Sequence, residues 1–207
     1  GGRENSLGWA IQKNDFIKKI YLSPGNAGSE KIRKCMRINL DITDKKNLIL
    51  KLKSLDIDLV VIGPEIPLSA GLGDYLRKNN FDVFGPNKDG ARLEYSKSWA
   101  KEFMNSANIP TSNFWKVNSF KEAQKVINNS EEPLVVKADG LASGKGVFVS
   151  ESKDECLQAT KAIFNGKFGK SGQIVVLEEK IQGPEVSIFA LCDGEKYILL
   201  PTAQDHK

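Results

Sequence analysis

The sequence predicts an α/β protein in two parts: a doubly wound domain with a parallel sheet over residues 1–86, then an α+β region from about residue 109. Three observations carry this. Strand-like and helix-like segments alternate through the first part. The run "IDLVVIG" at 57–63 is continuously apolar after Asp58, as expected of a parallel strand covered on both faces. In the second part the strands follow one another largely through local turns, and "CDGE" at 192–195 suits a hairpin.

Taken in order, residues 3–13 carry a weak helical pattern with Leu7, Ala10 and Ile11 on one side. "KKIYLS" (18–23) reads as a strand and "PGNAG" (24–28) as a loop. Asp44 caps a predicted helix that runs to about Leu55. After the 57–63 strand, "PEIPLSAG" turns the chain into a helix near 67–79, and "FDVFGP" (81–86) is a short strand. Residues 91–107 predict one helix whose apolar side is Leu93, Trp99, Phe103 and Met104. Ser119 with Glu122 forms a capping box for a helix to about Asn128, and Ser152 with Glu155 forms another for a helix to about Phe164. Strands are expected at 132–139, 146–150, 172–180, 184–194 and 195–201. "GGRE" has the character of the second half of a turn whose strand precedes Gly1, and "LLPTAQDHK" follows an apolar stretch with no closing element. Both lead to the expectation that the chain is part of a longer one.

Composition excludes some classes. Charged residues make up 27% and apolar residues 40%, the balance of a globular chain. No apolar run approaches the roughly 18 residues of a membrane span. The formal net charge is +4, but the lysines are dispersed and no basic block with interleaved aromatics occurs, so nucleic acid is not an expected partner. Cys35, Cys156 and Cys192 are far apart and odd in number, which argues against a disulfide framework and for a reducing, cytoplasmic setting.

The chemistry concentrates in "VVKADGLASGKGVFVS" at 135–150. A P-loop would need one more residue between Gly140 and Gly144, and a Ser or Thr where Gly146 stands. It would also open into a helix, whereas Val147–Val149 reads as a strand. This loop is therefore not a P-loop. A glycine-rich hairpin can still gather backbone N–H groups around phosphates, with Lys145 as a movable charge; a plain Gly/Ser hairpin has the same local sequence. Lys137 ends an apolar strand, where it either meets a bound phosphate or snorkels at the sheet edge. Glu178 and Glu179 end another strand, and alternation sends one toward a cleft and the other to solvent. Glu185 follows a Gly-Pro turn, where a carboxylate can accept ribose hydroxyls or belong to an ordinary acidic turn. Lys97 and Lys101 share one helical face, which taken alone is a solvated face.

"KADGLASGKGV", "EEKIQGPEVS" and "PTAQDHK" together resemble the ATP-grasp ligases. With "GGREN", "SPGNAG", "VVIGPEIPLSAGL", "FGP" and "LEYSKSWAKEFM…IPT" in order over essentially all 207 residues, the chain is similar to the phosphoribosylamine–glycine ligase (glycinamide ribonucleotide synthetase) family of purine biosynthesis. Asn5 departs from the pattern, where many members carry histidine. The resemblance implies a Rossmann-like parallel-sheet N-terminal domain followed by a partial ATP-grasp (α+β) region. Residues 1–90 would be the N-terminal domain without its first strand, and 91–118 a linking helix and the start of the ATP-grasp part. Residues 119–180 would be the lid subdomain and 181–207 the start of the large, truncated subdomain.

The resemblance also implies an ATP-dependent carbon–nitrogen ligase that joins glycine to 5-phosphoribosylamine through glycyl phosphate, with Mg²⁺ or Mn²⁺. No nucleic acid or membrane partner is implied, and a monomer is expected. By matched motif, Lys101 and Lys137 would contact the ATP phosphates, and Gly140, Ser143, Gly144, Lys145 and Gly146 would form the lid over them. Glu178, Glu179, Lys180 and Ile181 would line the adenine, and Glu185 the ribose. Lys145, Asp205 and His206 would be catalytic, although His206 can equally be a surface histidine. Gly2, Arg3, Glu4, Pro24, Gly25, Asn26, Gly63, Pro64 and Glu65 would face phosphoribosylamine. No metal ligand is assigned within the chain, since the family's acidic and Asn ligands are expected beyond Lys207; the piece alone is expected to be inactive. Another ATP-grasp carboxylate–amine ligase and a non-catalytic nucleotide-binding module remain alternatives at this point.

Overall fold

The computed structural model describes residues 1–142 and 144–204, in two compact units. The first holds Gly1–Ala107 with Asp139–Leu141; the second holds Asn108–Ala138 and the chain from Ala142 onward.

The first unit runs α1 (Gly2–Ile11), β1 (Ile20–Leu22), β2 (Cys35–Arg37), α2 (Lys45–Ser54), β3 (Leu59–Val61), α3 (Glu65–Ser69), α4 (Leu72–Lys78), β4 (Asp82–Phe84), α5 (Arg92–Tyr95) and α6 (Lys97–Ser106). Its strands pair in parallel, β1 with β2 and β3 with β4, which requires crossover connections. The Asp44 carboxylate accepts from Asn47 N at 3.1 Å, so α2 starts where its cap predicts. Leu48, Ile49 and Leu52 of α2 meet Ile62, Leu68, Leu72, Leu76 and Phe81 in one core.

Four sequence expectations are corrected in this unit. β2 has no counterpart among the expected strands, because "CMR" is three residues long and follows the charged pair Arg33 and Lys34 rather than a turn signal. The 57–63 run is covered on one face only: Leu59 is 55% and Val61 39% exposed, while Val60 packs toward the core. A continuous apolar run permits two covered faces but does not supply the second cover. "GGRE" is not a turn; Gly2, Arg3 and Glu4 form the first turn of α1. Residues 91–107 are two helices, parted at Ser96, whose extended backbone lets its hydroxyl cap α6 by accepting from Trp99 N. The buried side of α6 is Ser98, Ala100 and Lys101. Trp99 and Phe103 instead stack on each other at 5.3 Å, with the Arg92 guanidinium 4.5 Å over Trp99, so the aromatics satisfy one another outside the core.

The second unit runs β5 (Phe114–Val117), α7 (Phe120–Asn129), β6 (Val135–Ala138), β7 (Val147–Val149), α8 (Lys153–Ala162), β8 (Val175–Glu178), β9 (Ala190–Cys192) and β10 (Tyr197–Leu199). Four strands form an antiparallel sheet in the order β5-β8-β6-β7. Both expected capping boxes are present. Ser119 Oγ accepts from Glu122 N and Glu122 Oε2 from Asn118 N; Ser152 Oγ and Glu155 Oε2 repeat the pattern at α8. Val117, Val136, Ala138, Val175 and Leu177 cover one sheet face and pack on Ala123, Ile127, Cys156 and Ile163. The opposite parity, including Phe114, Val135, Lys137, Val176 and Glu178, therefore faces the other way. β9 and β10 form the expected hairpin, and Asp193 Oδ1 accepts from Glu195 N and Lys196 N across its turn.

Candidate functional site

In the first unit, three motifs far apart in sequence converge. "PGN" leaves the end of β1 and "GPE" the end of β3, where parallel sheets receive ligands. Asn26 Nδ2 donates to Gly1 O at 3.2 Å, tying "PGN" to "GGRE". Arg3 Nη1 donates to Glu65 Oε1 at 2.9 Å, tying "GGRE" to "GPE". A Cβ on Gly63 would come 3.8 Å from Glu4 Oε1, so Glu4 lies beside the same turn. Gly25 holds a φ of +66°, and a side chain there would also run into Arg37 Cγ at 2.7 Å. The Arg3 hydrogen bond holds the Glu65 carboxyl below the usual carboxylate range, and Glu65 raises the arginine in return.

Sequence reasoning passed over the supports of this cluster. Ser29 is fully buried; its hydroxyl accepts from Asn26 N at 2.9 Å and donates to Asn5 Oδ1 at 3.2 Å. Asn5, the departure from the family pattern, thus has a partner here. The Asn-x-x-Ser spacing of an Asx turn was the available signal.

In the second unit, Lys137 and Glu178 meet on the outer sheet face, Nζ to Oε1 at 2.9 Å, and Glu178 Oε2 accepts from Ser112 Oγ at 3.1 Å. Glu179 points the other way, as alternation predicts, and takes Asn113 Nδ2 on its carboxylate. Lys180 Nζ pairs with Glu151 Oε1 at 2.7 Å, while Ile181 and Glu185 are exposed.

The glycine-rich loop leaves β6 and returns into β7. Ala138 N donates to Gly146 O at 2.8 Å and Lys145 N to Ala142 O at 2.9 Å. Gly146 is buried; an added Cβ would lie 2.6 Å from Ala142 Cβ and 3.3 Å from Ala138 Cβ. Gly144 has a φ of +75° with open space around it, and the Lys145 side chain is exposed. Within the first unit, Asp139 caps α6, the helix that carries Lys101: its carboxylate accepts from Ser98 N and Ser96 Oγ. Lys97 Nζ adds a bond to Gly140 O. Asp139 and Ser96 were not among the expected site residues, though an Asp before a Gly was their visible signal. Ser143, Asp205 and His206 lie outside the described residues.

A glycine-rich hairpin that carries a lysine is a kind of loop that can bind a phosphate group. Among the described residues, no group of three or more His, Cys, Asp or Glu side chains is placed to hold a metal ion. Also among them, no helix is long and apolar enough to cross a membrane.

A parallel α/β unit followed by an antiparallel sheet, with a lysine one residue before the end of β6 and a glycine-rich hairpin after it, is the arrangement of the ATP-grasp class. The model of the phosphoribosylglycinamide synthetase N domain matches residues 1–94 and that of its ATP-grasp (A) domain residues 95–207; the chain belongs to this family. It is 44% identical over 207 residues to the phosphoribosylamine–glycine ligase of Mesorhizobium japonicum, covering 100% of this chain and 48% of that protein. The crystal structure of the Thermotoga maritima phosphoribosylamine–glycine ligase superposes with a TM-score of 0.80 at 32% identity, covering 98% of this chain and 47% of that one. The biotin carboxylase domain of Hydrogenobacter thermophilus 2-oxoglutarate carboxylase, solved with MgADP and bicarbonate, shares the fold at 15% identity. Its TM-score is 0.74, over 96% of this chain and 47% of that one. The chain spans about half the length of the curated ligase that it matches. The expected family and fold class are borne out.

Proposed function

We propose that the whole protein is an ATP-dependent ligase that joins glycine to 5-phosphoribosylamine, giving glycinamide ribonucleotide, ADP and phosphate in purine biosynthesis. The observation that carries this reading is the unbroken match of the N and ATP-grasp domains of one family along the chain. A carboxylate is a poor acyl donor. A glycine carboxylate oxygen attacks the γ-phosphorus of ATP, the bond to ADP breaks, and glycyl phosphate results. The phosphoribosylamine nitrogen then attacks the carbonyl carbon, phosphate leaves, and the nitrogen loses a proton.

In this reading Lys101 and Lys137 receive ATP phosphates, and Gly140–Gly146 with Lys145 close over them, where fixed positive charge stabilises the transferring group. Glu178 to Ile181 border the adenine and Glu185 the ribose. Gly2, Arg3, Glu4, Pro24, Gly25, Asn26, Gly63, Pro64 and Glu65 form the phosphoribosylamine side. Asp205 and His206 belong to the substrate cleft. Residues 1–90 serve as the N-terminal domain, 91–118 as the link, 119–180 as the lid and 181–207 as part of the large subdomain. Mg²⁺ or Mn²⁺ accompanies ATP, with its protein ligands beyond Lys207. The protein works in the cytoplasm as a monomer on small molecules.

Lys137→Ala in the full-length protein tests this reading. ATP binding or turnover should weaken by on the order of 2–4 kcal/mol, as for a desolvated charge contact. Unchanged ATP affinity by calorimetry, with unchanged turnover, removes the assignment.

A further inference from the structure

Glu178 is 5% exposed, and a carboxylate so placed is costly unless its charge and lone pairs are met. They are met from β6 on one side and from the segment leading into β5 on the other. Oε1 lies 2.9 Å from Lys137 Nζ, and Oε2 accepts from the Ser112 hydroxyl at 3.1 Å. The register explains the meeting. On central β8, Glu178 stands opposite Val135 of β6 and Phe114 of β5. Lys137 lies two residues after Val135 and Ser112 two before Phe114, so each is a diagonal neighbour of Glu178.

We propose that Glu178 and Ser112 are positioning residues: Ser112 fixes the carboxylate, and the carboxylate fixes the Lys137 ammonium where it receives a nucleotide phosphate. This rests on the reading of Lys137 as a phosphate contact. A lysine is a point charge on a flexible four-carbon stem, so its ammonium has many placements unless something selects one. The sign of the charge separates positioning from plain electrostatics. A carboxylate near a triphosphate repels it, so a Glu178 that acted through charge alone would weaken ATP binding, and its removal would tighten it. A Glu178 that places Lys137 does the opposite, and its removal loosens ATP.

The test uses the full-length protein with Glu178→Gln, Ser112→Ala and Ser112→Thr, measuring Kd for ATP and for inosine triphosphate, which lacks the 6-amino group. Glu178→Gln should raise Kd about tenfold or more, the scale set by misplacing a group that meets the ligand. Ser112→Ala should raise it less, and Ser112→Thr, which keeps the hydroxyl, should restore it. Both nucleotides should suffer equally, because the role runs through a phosphate. Unchanged or tighter ATP binding in Glu178→Gln overturns the proposal. So does a loss confined to ATP, which would leave Glu178 with its place beside the adenine and no positioning role, and so does a lowered Tm with Kd unmoved in all three variants. A silent Lys137→Ala instead sinks the phosphate reading itself. Weak binding in Lys137→Ala with silent Glu178→Gln and Ser112→Ala leaves that reading standing and removes this one.

Discussion

Arg3 Nη1 donates to Glu65 Oε1 at 2.9 Å across 62 positions of sequence, joining the first turn of α1 to the first turn of α3. The hydrogen bond depresses the Glu65 carboxyl. A depressed carboxyl favours the folded state above the ordinary glutamate value of about 4.3, and that contribution is lost as pH falls through the lower value of Glu65. Both side chains reach solvent, so the energetic effect is small. A carbon-13 titration of the Glu65 carboxyl should show a midpoint below the ordinary range. Arg3→Gln should bring it back toward that range, and a midpoint indifferent to Arg3 contradicts the pair.

Asn26 organises the loop after β1. Its Oδ1 accepts from Gly28 N at 2.8 Å and Ser29 N at 3.1 Å, while Nδ2 reaches Gly1 O. Asn26→Ala leaves Gly28 N without its acceptor, while Ser29 N keeps the Asn26 carbonyl at 3.0 Å, and should cost on the order of 1 kcal/mol. Asn26→Asp keeps the acceptor and should retain most of the stability. Urea unfolding of the two variants measures the difference; equal midpoints mean that the loop holds its own shape.

What the sequence revealed was local. Asp44, Ser119 and Ser152 announce their helices because a cap and its N–H partner lie three residues apart. The hairpin at Asp193 was legible for the same reason. The burial of Lys101 rather than Phe103 on α6 was not, because the helical pattern gives an apolar side and not whether anything covers it. Nor was the pairing of Lys137, Glu178 and Ser112, which depends on a strand register set across 66 positions. Motifs located the candidate residues, and long-range pairing determined which of them touch.

At Gly146, where the loop returns into β7, there is no room for a side chain. The atoms that a new Cβ would meet, Ala142 Cβ at 2.6 Å and Ala138 Cβ at 3.3 Å, belong to short side chains that cannot swing away. Gly146→Ala must move the loop backbone. If the loop closes over nucleotide, the full-length variant should bind ATP about tenfold more weakly, as expected when a closing element is misplaced. Hydrogen exchange across residues 139–147 should slow on ATP addition in the wild type and respond less in the variant. Equal exchange with and without ATP in the wild type would leave a static hairpin.

Ile127 and Leu50 are both large aliphatic residues on ten-residue helices, yet Ile127 is 0% and Leu50 65% exposed. Ile127 packs with Val136, Val175 and Leu177 beneath the four-stranded sheet. Truncation there loses the transfer energy of the removed carbons and opens a cavity, so Ile127→Ala should cost about 2–5 kcal/mol and Ile127→Val about 0.5–1.5 kcal/mol. Leu50→Ala removes a side chain that water already reaches and should stay within about 0.5 kcal/mol. Because the chain forms two compact units, a single unfolding midpoint can blur the contrast. Native-state hydrogen exchange at the Val136 and Leu177 amides reads the second unit directly. Ile127→Ala should speed exchange at both while Leu50→Ala leaves them unchanged, and equal protection in the two variants would mean that α7 is not what holds this sheet.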